Sequence, residues 1–164
     1  TERKEVIIEH ASLIFRNFAG APDKFNAMGG KRSFHVILDP DVAEQMLEDG
    51  WNVKYLKPRE DDEDQVETPY IKVNVNFNGP RPPRIVMISS MARTNIGEDL
   101  ADTLDQVNIR EADLIFTSFE YDVNGSTGIS AYLKSLYVTI EEDYLEKKYA
   151  VAVEDEYGPE DEEA

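Results

Sequence analysis

Residues 70–77, Tyr70-Ile71-Lys72-Val73-Asn74-Val75-Asn76-Phe77, alternate without a break. Side chains leave an extended chain on opposite sides at each step, so Ile71, Val73, Val75 and Phe77 point one way and Tyr70, Lys72, Asn74 and Asn76 the other. One apolar side and one polar side describe a strand with a core beneath it and water above. The rest of the chain is read outward from this segment.

Downstream, Asn78-Gly79-Pro80 turns the chain and residues 84–90 form a further strand. Ile96, Leu100, Leu104 and Val107 fall at helical spacing. Residues 114–123 and 128–140 then pair as a hairpin across Asn124-Gly125, a dipeptide that accepts the positive φ angles of a tight turn. A short charged helix is expected over 141–149.

Upstream, residues 58–69 carry a run of acids and read as an exposed, mobile loop, preceded by a strand over 51–57. Asp39-Pro40 starts a helix, Val42, Ala43, Met46 and Leu47 form its apolar side, and Gly50 ends it. Residues 31–38 are a strand and 19–30 a glycine-bearing loop. Residues 5–18 read as one long first strand. It has Ile7, Leu13 and Phe15 on one side and Val6, Ile8 and Ile14 on the other, a pattern of burial on both faces or of a bulge.

Many short strands with two modest helices describe a mainly β protein, a small barrel or sandwich, in one domain over 1–150. Periodicity does not choose between kinds of small barrel. Without cysteine there are no disulfides, cysteine zinc sites or thiol catalysis, which fits a reducing cytoplasm. No stretch reaches the length of a membrane span and residues 1–4 lack a secretory pattern, so a cytoplasmic protein is expected.

A formal charge of −17 looks hostile to nucleic acid, whose phosphates are met by lysine and arginine. Its distribution changes that reading. Glu154, Asp155, Glu156, Glu160, Asp161, Glu162 and Glu163 crowd the end of the chain, and residues 60–67 hold six more acids, with no base in either segment. The remaining body carries about −4. Residues 151–164 are too polar to bury a core and are expected to be a disordered acidic tail. Such a tail suits competition for a basic groove or docking onto basic partners.

Catalytic chemistry is thin. His10 and His35 are isolated and fit ordinary strand positions, so neither a metal site nor a cofactor is expected. Gly30-Lys31 would end a phosphate-binding loop only with glycine at 25 and serine or threonine at 32, where the chain has Phe25 and Arg32. The acids Asp61, Asp62, Glu63 and Asp64 lack the alternating ligands and central glycine of a calcium loop.

Aromatic residues interleaved with cations are the positive signal. Bases stack on rings while cations follow the phosphates, which holds a single strand without reading its sequence. The candidates are Lys31, Arg32 and Phe34, following Lys24 and Phe25; Trp51, Lys54, Tyr55, Lys57 and Arg59; Tyr70 and Lys72; Arg81, Arg84 and Arg93; and Tyr132 with Lys134. Each ring also fits a sheet core, Trp51 beside a helix end most of all.

The segments GAPDKFNAMGGKRSFHVILD, DGWNVKYLKPRE, PYIKVNVNF, PPRIVMISS and VNGSTGISAYLKSLYVTIEED resemble a family of phage-encoded single-stranded DNA-binding proteins, over about residues 5–150. The resemblance implies an OB-like fold, single-stranded DNA as partner in phage replication or recombination, and no catalysis. An acidic C-terminal tail is similar to those of replication-associated binding proteins. Two other readings remain at this point: an acidic DNA mimic, and a module whose acidic segments recruit a basic partner protein.

Overall fold

The computed structural model describes residues 4–22, 27–58 and 67–142. Nine strands and two helices follow in the order β1 (Glu5–Ile8), β2 (Leu13–Asn17), β3 (Arg32–Ile37), α1 (Pro40–Asp49), β4 (Val53–Leu56), β5 (Thr68–Val75), β6 (Arg84–Ile88), β7 (Arg93–Asn95), a 3-10 helix (Glu98–Asp105), β8 (Ile109–Val123) and β9 (Ser126–Ile140). The acidic loop from 59 to 66, the helix expected over 141–149 (from 143 on) and the acidic tail lie outside the described residues, as do Lys24 and Phe25.

The β8–β9 hairpin is the spine, two strands of 15 residues each. Its turn uses positive φ at Asn124 (52°) and Gly125 (83°), the twist-matching geometry that the dipeptide announces. At Gly128 the Tyr121 hydroxyl and Asn52 Oδ1 close over the backbone, and a Cβ there would displace both side-chain ends.

The sheet runs β1-β8-β9-β5-β3-β2, with β4 beside β5, and β6 and then β7 beside β9. No ladder joins β1 to β2 among the described residues. β9 meets β5 in parallel at Ala131 and Tyr132, then β6 in parallel from Ser135 to Thr139. A register shift against β8 leaves Lys134 as the extra residue at this change of neighbour. A bulge at that place bends the strand and lets one ladder serve two partners.

Alternation puts Phe34, Val36, Ile71, Val73, Val75, Leu114, Phe116, Leu136 and Val138 into one core. Burying each such side chain contributes roughly 1.5–3 kcal/mol. Ala43 and Met46 of α1 join this core, whereas Val42 and Leu47 stay partly exposed. Gly50 ends α1 at φ 97°, with its N–H bonded to Leu47 O. The segment read as helical over 96–107 is a 3-10 helix that buries Ala101 and Leu104. Asp105 fixes it to the end of β2 by accepting the N–H bonds of Phe18 and Ala19.

The single long strand expected over 5–18 is two strands. The chain breaks at His10, whose φ is 54°, and Asp113 accepts its N–H. β2 then carries a bulge between Ile14 and Asn17, with Phe15 at φ 49°. Apolar residues on both sides of this segment reflect those two interruptions. The short strand β7 has no counterpart in the periodicity; three residues are too few to show alternation.

Candidate nucleic-acid interface

The sheet side opposite the core is not uniformly polar. On β5 the core takes Ile71, Val73 and Val75, which sends Tyr70, Lys72 and Asn74 outward. Across the ladder to β3, Tyr70 lies opposite Ile37 and Lys72 opposite His35. Across the other ladder, Lys54 of β4 lies opposite Tyr70. The Phe15 ring reaches the same place from β2, because the bulge turns it out of the core.

Three rings therefore meet on the surface. Phe15 stands edge-on to His35 at 5.4 Å and to Tyr70 at 6.2 Å, and His35 lies 5.3 Å from Tyr70. Phe15 is 61% exposed. A bulky residue at positive φ costs of order 1–3 kcal/mol, and such strain collects at functional positions. Burial, then the charges of Lys72 and Lys54, hold the His35 imidazole below its ordinary pKa, while the Phe15 backbone works the other way. His35 Nδ1 is buried without a hydrogen-bond partner.

A second cluster lies on the hairpin. Tyr132 is opposite Asn74 across the parallel ladder and opposite Thr117 across the antiparallel one, so it shares the outward side. Phe119, 51% exposed, packs edge-on to Tyr132 at 5.5 Å. Both line a groove of about 650 Å³ whose other wall is the glycine-proline turn after β5, carrying Arg81 and Arg84. Lys134 also lines it and is ion-paired with Glu5; both partners are exposed, so the pair holds the lysine loosely. With strands about 4.8 Å apart, the outward face from β2 through β3, β5 and β9 to β8 is about 19 Å wide.

The body's own charge is divided. The outward face carries Lys54, Lys72, Arg81, Arg84 and Lys134 together with the acids Glu5, Glu111 and Asp113, whereas α1 carries Asp41, Glu44, Glu48 and Asp49, and the 3-10 helix carries Glu98, Asp99, Asp102 and Asp105, with no base in either.

The sequence-derived candidates separate accordingly. Lys54, Tyr70 and Lys72 come together at the first cluster, and Arg81, Arg84, Tyr132 and Lys134 at the second. Phe34 and Trp51 require correction. Phe34 is fully buried and stacked on Phe18 at 5.1 Å, and Trp51 is 4% exposed and edge-on to Phe116 at 5.5 Å. Neither presents a ring to a base: alternation along β3 turns Phe34 into the core, and Trp51, bridged to Ile129 between α1 and β4, packs there too.

Arg32 also turns inward. It donates to the Phe18 carbonyl at 2.6 Å, pairs with Glu98 at 3.4 Å and lies 5.7 Å over the Phe77 ring, so it braces loops. Lys31 precedes β3 and is exposed. Tyr55, partly exposed, alternates to the other side of β4 from Lys54, and the exposed Lys57 follows that strand. Arg93 sits on edge strand β7, away from both clusters in the strand order. Arg59 and the tail acids Glu154, Asp155, Glu156, Glu160, Asp161, Glu162 and Glu163 lie outside the described residues.

Phe15, His35 and Phe119 were not among the candidates. His35 follows from the alternation of Phe34, Val36 and Leu38 once Phe34 is taken as core. Phe119 likewise follows from Leu114 and Phe116. Phe15 carries no such signal, because its direction is set by the bulge.

His10, Glu111 and Asp113 are the one group among the described residues close enough to share a metal ion. Their arrangement is accounted for internally, by His10 Nδ1 with Glu111 at 2.7 Å and the His10 N–H with Asp113. No helix among the described residues is long and apolar enough to cross a membrane.

Comparison with known proteins agrees with the architecture. The model of the family described as "Putative phage ssDNA-binding domain" matches residues 1–158, and the chain belongs to that family. It is thus a non-enzymatic binding protein. Among solved structures, the single-stranded DNA-binding protein of bacteriophage Enc34 in complex with ssDNA has a TM-score of 0.53 at 10% identity, covering 85% of this chain and 88% of that one. A C-terminal truncation of the same phage protein has a TM-score of 0.51 at 10% identity, covering 85% and 87%. These likenesses are of fold, which is mainly β and OB-like. No curated protein matches the chain.

Proposed function

We propose that the outward face of the sheet is the single-stranded DNA-binding surface of this protein and that it binds with little regard to sequence. The observation that carries this reading is the pair of exposed aromatic clusters, Phe15–Tyr70 and Phe119–Tyr132, on one continuous face with Lys54, Lys72, Arg81, Arg84 and Lys134. Rings offer a stacking plane to any base, and the cations follow the backbone. Family membership supports the choice of ligand.

The finer reading places the protein in phage DNA replication or recombination, in the host cytoplasm. It divides the chain into a binding body, 1–150, and an acidic tail, 151–164, that competes with DNA for the basic face or docks onto partner proteins. The acid-rich composition of the tail supports this part.

The test is an anisotropy titration of labelled oligo-dT and of a duplex of equal length, at two salt concentrations, with the full chain and with a chain lacking 154–164. A labelled oligonucleotide is preferable to Trp51 emission, since Trp51 is in the core. Saturable binding of oligo-dT, weaker for duplex and weakened by salt, is expected. Lys72→Ala should lower the salt slope by about one, and the truncated chain should bind more tightly. No binding by either chain at low salt would refute the assignment.

A further inference from the structure

We propose that the Phe15–His35–Tyr70 cluster is a proton-coupled phosphate contact, in which His35 takes up a proton more readily when a backbone phosphate of single-stranded DNA lies against Lys54 and Lys72. This rests on the binding face assigned above and adds a dependence on pH to it.

The geometry is specific to this cluster. His35 is held between β2 and β5, opposite Ile14 on one side and Lys72 on the other. Phe15 closes over one edge of its ring and Tyr70 over another. The groups that act on it are the Phe15 backbone from β2, Lys72 from β5 with the Tyr70 phenol beside it, and Lys54 from β4 beyond; no described carboxylate is among them. His35 Nδ1 is enclosed and unbonded.

In the free protein a proton on His35 meets three penalties, burial first and then the two lysines, so the charged ring is disfavoured. A phosphate at Lys54 and Lys72 removes most of the lysine penalty by neutralising their field, and it adds an attraction of its own. Burial alone then opposes the charge. The ring's pKa therefore rises on binding, and by linkage whatever raises it is bound more tightly as protons become more abundant. The second cluster has rings and cations but no histidine, so this coupling belongs to the first.

Binding of one strand would take up at most one proton at this site, which limits the effect to about tenfold in affinity per pH unit. From about pH 8 to about pH 6 the wild-type dissociation constant for oligo-dT should fall, within that limit. The chain has only two histidines, which makes the assignment clean.

The experiment is calorimetric titration of the full-length protein with oligo-dT in buffers of different ionisation enthalpy, near the ordinary histidine value of 6.5. Proton uptake is expected for the wild type and for His10→Gln, and its loss for His35→Gln and His35→Phe. NMR titration of the wild-type His35 ring, free and DNA-bound, gives the same answer without relying on a variant's fold: its pKa should be higher when bound. Binding with no proton uptake, uptake that survives both His35 substitutions, or a ring pKa unchanged by DNA would each overturn the proton coupling while leaving the binding face in place. Absence of any oligo-dT binding would overturn both.

Discussion

The two sides of this sheet use the same residue type for opposite ends. Phe34, Trp51 and Phe116 lie on the inner side with exposures of 0%, 4% and 0%; Phe15 and Phe119 lie on the outer side at 61% and 51%, with Tyr70 and Tyr132 half-buried beside them. Inner rings contact one another and the aliphatic core, and their energy is spent within the fold. Outer rings are in edge contact with one another but keep surface exposed, and that surface is available to a ligand. An aromatic residue in a strand is therefore neither a core residue nor a binding residue by composition; the parity of its position decides for Phe34, Phe116 and Phe119, and a bulge decides for Phe15.

Substitution of matched rings from the two sides should separate their roles most sharply. Phe116→Ala should cost about 3–5 kcal/mol of folding stability, read by denaturant unfolding. The folded fraction should still bind oligo-dT nearly as the wild type does. Tyr132→Ala and Phe119→Ala should do the reverse, each weakening oligo-dT binding by about 1–3 kcal/mol with little change in unfolding. Outer substitutions that unfold the protein and spare its affinity would collapse the distinction.

Phe15 offers a finer division, because it carries strain as well as an exposed ring. Glycine accepts a φ of 49° without a Cβ penalty, whereas alanine retains it. Phe15→Gly should be more stable than Phe15→Ala by about 1 kcal/mol, and both should weaken DNA binding to the same degree. Equal stability of the two variants would show that the bulge is not strained.

The smallest expected effect is on stability against pH. His35 binds its proton less readily folded than unfolded, so the unfolded chain takes up more protons as pH falls below about 6.5. The stability due to the neutral ring is present above that value and declines as pH drops through it towards the lower folded value. His35→Gln should flatten this part of the curve; a wild-type and variant difference independent of pH would contradict it.

Legibility in the sequence followed the length and regularity of each element. The strand containing Tyr70 and Lys72, the Asn124-Gly125 hairpin and the helix start at Pro40 all carry local patterns that the structure keeps, although the Asp39 side chain makes no capping hydrogen bond. The first segment misled because neither break has a local signature: His10 and Phe15 take positive φ without being glycine or asparagine. The candidate face was half legible. Tyr70, Lys72, Tyr132 and Lys134 stand on outward positions of clear strands, but Phe34 and Trp51 satisfy the same rule of a ring near a cation while facing inward.

The sequence by itself determined that this is a mainly β chain with segregated acids, since period-two alternation, turn dipeptides and charge runs act over a few residues. The resemblance in its blocks extended that to a family. Only the tertiary structure decided that β9 serves β5 and β6 in turn, which carries Tyr132 to the level of Asn74 and continues the face begun by Tyr70. It alone decided that Phe15, His35 and Tyr70 meet. Those contacts join strands far apart in the chain, and their register is set by which strands pair and where they bulge, a choice made by the whole core at once.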